Sequence, residues 1–99
     1  MAVFWITFRI ADDDTYVERY TALVDAIKGN SSKFWEEATS FILFESAQNM
    51  AGITERVKAA IDDSRDLVLI GMPDFKSATV IGPVADQDLF KLMSFTKKA

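Results

Sequence analysis

A chain of 99 residues, 49% hydrophobic and 12% aromatic, makes one domain. At this size folding buries roughly 60–65% of the surface of the unfolded chain, enough for a single core, and so much apolar surface argues against disorder. The absence of cysteine and histidine excludes disulfides, zinc ribbons, thiol nucleophiles and the usual base of a serine triad, leaving carboxylate chemistry with a hard cation such as magnesium, or no chemistry. A net charge of −4 repels phosphate backbones, which argues against nucleic acid as a partner.

From Val3 to Ile10 the residues alternate. Phe4, Ile6, Phe8 and Ile10 suit burial under helices, whereas Val3, Trp5, Thr7 and Arg9 form a second strand face that is open or covered by a partner. The opening MAVFWITFRIA is too short to span a bilayer and has no basic leader, so the expectation is a cytoplasmic chain with no membrane contact.

Asp12, Asp13 and Asp14 follow, then a helix in which Val17, Tyr20, Val24 and Ile27 recur at helical spacing. Thr15 and Glu18 read as a capping box, and Gly29 with Asn30 as a left-handed stop. The aspartates have two readings. One is an acidic approach to a helix N-terminus, worth roughly 0.3–1 kcal/mol from the dipole; the other is a magnesium site. The capping box favours the first, because it already accounts for the local chemistry.

The segment KFWEEATSFILFES predicts two short strands joined by a bulge or kink near Ala38, Thr39 and Ser40. Trp35 and Trp5 read as protein-facing, since a base-stacking surface interleaves aromatics with cations and Trp35 is followed by Glu36 and Glu37. A second helix is predicted from about Asn49 to Ile61, burying Met50, Ile53, Val57, Ala60 and Ile61 and turning Glu55, Arg56 and Lys58 to water. Asp62, Asp63 and Asp66 read as a turn. LVLIGM then reads as a covered strand, PDFKS as a turn and ATVIG as a further strand. In the segment 86–99, Leu89, Leu92 and Met93 suit a short helix, and Phe90 and Phe95 make the tail apolar enough to dock on its own or a partner subunit. Lys97 and Lys98 read as a solvated end. The order of elements predicts an α+β, ferredoxin-like two-layer sandwich over residues 1–99, one mainly antiparallel sheet with two helices on one face.

At TSFILFES, residues 39–46, and IDDSRDLVLIG, residues 61–71, the chain resembles the small CRISPR-associated adaptation proteins, the dimeric non-integrase subunit of spacer acquisition, and the VapD-type toxins of the same fold. The likeness follows the order of elements from Val3 to about Met72. It implies a homodimer formed by pairing sheets and, where a member is a nuclease, dependence on a metal. The metal-binding aspartate of that family closes the first strand; the matching position here is Arg9, between Phe8 and Ile10, and an arginine cannot ligate a cation. No catalytic residue is therefore carried over. The expectation is a homodimeric binding or assembly protein without catalytic activity or cofactor, with Val3, Trp5, Thr7, Arg9 and Trp35 at the interface and room for a further protein partner. The alternatives are a magnesium-dependent nuclease using Asp12, Asp13 or Asp14, and a nucleic-acid scaffold without chemistry.

Overall fold

The computed structural model describes residues 1–99, which form β1 (Ala2–Arg9), α1 (Tyr16–Lys28), β2 (Lys33–Trp35), β3 (Phe41–Ser46), α2 (Met50–Ala60), β4 (Leu67–Gly71), β5 (Ala78–Ile81), α3 (Asp88–Leu92) and β6 (Thr96–Lys98). The strands make one sheet in the order β2-β3-β1-β4-β5-β6. Every neighbouring pair is antiparallel except β5 with β6. A parallel pair cannot be joined by a tight turn, and residues 82–95, with α3 inside them, supply the crossover.

Alternation along β1 sets the register. Phe4 lies opposite Phe44, Ile6 stands between Ile42 and Ile70, and Phe8 faces Val68. These side chains meet Leu23 and Ile27 of α1 and Ile53 and Val57 of α2 in one core, with the Phe4 and Phe44 rings stacked at 5.4 Å. The two short strands around a kink are present as β2 and β3, and Ser40 in their connection takes a positive φ of 53°. Helix α2 is capped by Asn49, whose side chain accepts a hydrogen bond from the Gly52 backbone N–H. Met50, Ala60 and Ile61 pack against the core as expected.

Helix α1 departs from its sequence reading. Val17 is 68% exposed and Tyr20 is also exposed, while Arg19, Leu23 and Ile27 are buried. Thr15 makes no capping bond; instead the Asp13 carboxylate accepts from the Thr15 backbone N–H and hydroxyl. Gly29 is right-handed, and the helix end is satisfied by Asn30 and Ser31 side chains donating to the carbonyls of Ala26 and Ile27.

The ferredoxin-like sandwich expected from the sequence is not the fold. The domain is α+β, but its sheet is six-stranded and mixed, and it carries three helices. The difference lies in the C-terminal segment. Thr96-Lys97-Lys98 has no apolar alternation to mark a strand, and becomes one only because the free edge of β5 offers backbone partners. The tail pairs with β5 within the chain, with the Ala99 N–H donating to the Val80 carbonyl. Lys97 and Lys98 are exposed, but within a strand rather than a free end, and the Lys98 ammonium lies 5.2 Å from the Phe90 ring centroid. At the other end of β5 the crossover begins at Gly82, with φ 106° and an ideal Cβ position only 1.9 Å from the Asp66 carbonyl oxygen, so no other residue fits there. No helix is long and apolar enough to cross a membrane.

Candidate functional site

Three features bear on function. The first ties the loop after β1 to α1 and to the loop before β4. Asp66 is fully buried and accepts from Arg19 Nε at 2.9 Å, the Ala11 N–H at 2.8 Å and the Asp62 N–H at 2.9 Å. Arg19 also donates to Asp13 at 2.8 Å and to the Ala11 carbonyl. Arg65 pairs with Asp13 and, at 2.9 Å, with Asp62. Hydrogen bonding to Arg19 holds the Asp13 carboxyl down at about 2, and the Ser64 hydroxyl and N–H hold Asp62 at about 2. Burial alone would raise Asp66, but the Arg19, Asp62 and Ala11 donors outweigh it and keep it below the usual carboxylate range. Asp66 is accordingly no solvated turn residue but the acceptor at the centre of a buried pair.

This network bears directly on Asp12, Asp13 and Asp14. Asp12 and Asp14 are exposed, and Asp13 is engaged by two guanidinium groups whose charges oppose a divalent cation. No group of three or more acidic side chains is arranged to hold a metal ion.

The second feature is the sheet face opposite α1 and α2. Residues paired directly across strands share a face, so Trp35, Leu43, Trp5, Gly71 and Ala78 form one row. Phe41, Thr7, Leu69 and Val80 form the next. Val3 sits in a flanking row with Glu45 and Lys33, and Arg9 with Leu67 at the opposite end. All five interface residues expected from the sequence therefore lie on this face. Trp5 rests on Gly71, where an added Cβ would meet the indole at 2.2 Å. Trp35 is 44% exposed, edge-on to Phe41 at 6.2 Å, with its indole N–H donating to Glu37. Phe41, Leu43 and Leu69 join the face without having been singled out; the alternation of FILFES, with Ile42 and Phe44 facing the core, was the signal for the first two.

The third feature is a cleft of about 470 Å³ where the crossover passes over this face. Leu67, Leu69 and Val80 of the sheet and Val84 and Leu89 of the crossover line it, together with the exposed residues Arg9 and Asp86. On the helix side, a shallow groove of about 550 Å³ between α2 and β6 is flanked by Lys58, Lys76 and Lys97. Comparisons with protein-family models, curated proteins and solved structures gave no match.

Proposed function

We propose that the chain is a binding and assembly domain that pairs with a second copy of itself through the sheet face opposite α1 and α2. The observation that carries this reading is the row Trp35, Leu43, Trp5, in which two tryptophans flank a leucine on a face that no helix of the first two covers. Tryptophan is enriched at the centres of protein interfaces and is costly to leave in water. The sheet pairing implied by the resemblance to the CRISPR-associated adaptation proteins supports the same arrangement.

The pattern of charge suits a two-fold pair. If the axis runs across the strands, the Arg9 end of one β1 lies over the Val3 and Glu45 end of the other. Arg9 makes no ion pair within the chain and Glu45 bonds only to Ser32, so both are free to meet across the axis. The size of the face sets the strength. Four strands at ~4.8 Å and six residues at ~3.3 Å give a patch of roughly 19 by 20 Å, which in a pair hides on the order of 1,000 Å², the low end for a specific interface. Weak association, in the micromolar range, is the expectation for an interface of this size class.

Trp5→Glu tests the reading by placing a charge at the centre of the face. Sedimentation at a concentration where the wild type is dimeric should show a monomer for this variant, with its far-UV circular dichroism retained. A folded Trp5→Glu protein that still sediments as a dimer would place the contact elsewhere.

A further inference from the structure

We propose that the cleft under the crossover binds a small apolar monocarboxylate, with Arg9 as the group that holds the carboxylate. This goes beyond self-association and, because Arg9 lies on the face proposed to pair, ligand and second copy compete for its guanidinium. The volume of about 470 Å³ falls within the range of roughly 300–1,000 Å³ usual for small-molecule sites. Its walls are largely aliphatic, Leu67, Leu69 and Val80 from the sheet and Val84 and Leu89 from the crossover. Water in such a space finds few hydrogen-bond partners, so an apolar body displaces it favourably.

Charge chooses the head group. Arg9 pairs in register with Leu67, which puts it on the cleft face, and its guanidinium is exposed and makes no ion pair. Its planar fork matches a carboxylate in a bidentate fashion, which an ammonium would not do. The other charged side chain lining the cleft, Asp86, accepts from the Asp88 N–H at 2.9 Å at the head of α3. A single arginine among aliphatic walls suits one acidic group on an otherwise apolar molecule.

Titration calorimetry of the full chain with decanoate, kept below its micelle concentration, should give saturable binding at one site per chain. Arg9→Gln, a substitution at an exposed position, should weaken decanoate by at least about fivefold while leaving decanol unchanged. Leu89→Glu should abolish decanoate binding with circular dichroism retained. The proposal is overturned if decanoate shows no saturable binding, if Arg9→Gln binds it as well as the wild type, or if decylammonium binds more tightly than decanoate. The mass in solution, read on the same samples, reports the dimer separately from the ligand.

Discussion

Replacing Asp66 with alanine leaves Arg19, only 9% exposed, facing an empty acceptor position, and removes the acceptor of the Ala11 and Asp62 backbone N–H groups. Arg19 keeps Asp13 and the Ala11 carbonyl, so the cost is that of buried donors left unsatisfied, about 1–3 kcal/mol, which urea denaturation should register; a loss under 1 kcal/mol would mean that water reaches Arg19 freely. The same carboxylates predict the response to acid. Asp13 and Asp62 are each held at about 2, against an ordinary 3.8, and Asp66 is lowered too. A carboxyl depressed by folding contributes stability above its unfolded value and loses it as the pH falls toward its folded one. The melting temperature should therefore fall between about pH 4 and pH 2, less steeply for Asp66→Ala, and a flat profile across that window would contradict the network. Little of this was legible in the sequence. An arginine at position 19 breaks an otherwise apolar helical stripe, which hints at a buried partner, but the partner lies 47 residues away, and Asp66 among three neighbouring acids reads as a turn until the fold brings it under α1.

At the scale of elements, legibility followed local periodicity. β1, β3 and α2 carry their own alternation or helical stripe and β4 and β5 short apolar runs, and the structure places them close to the expected bounds. α1 was expected as a helix, but its buried face is rotated, because the aromatic pair Tyr16 and Tyr20 stacks beside Phe8 at the margin and leaves Val17 in solvent. β6 has no local signature, and its parallel pairing with β5 makes the sheet six-stranded and mixed. Its dependence on β5 yields a direct prediction. A chain truncated after Met93 should melt at a lower temperature, since it loses the β5–β6 ladder and the burial of Thr96, yet keep its mass in solution, since that strand closes on its own subunit. Dissociation of the truncated protein into monomers would instead put the tail at the interface. Gly82→Ala belongs to the same junction and should destabilise by more than the roughly 1–3 kcal/mol of positive-φ strain alone, because its Cβ would also collide with the Asp66 carbonyl, measurable by the same denaturation.

For the whole molecule, geometry explains which surfaces remain open. Six strands are about 29 Å wide, and two helices of ~10–12 Å diameter cover most of one face, leaving the groove beside β6. The opposite face has only the short crossover, whose α3 buries no residue and exposes Leu92 at 83%. The alternation of β1 made that second face readable in advance, with Val3, Trp5, Thr7 and Arg9 on it; the placement of Trp35 in the row of Trp5 required the β2–β3 pairing, which sequence spacing alone does not fix. Self-association through this face is the central claim, and light scattering of the wild type across a concentration series tests it most directly. The mass should rise from the 11.1 kDa of one chain toward twice that value as the protein passes through the micromolar range, and a single monomeric mass at high micromolar concentration would contradict the account.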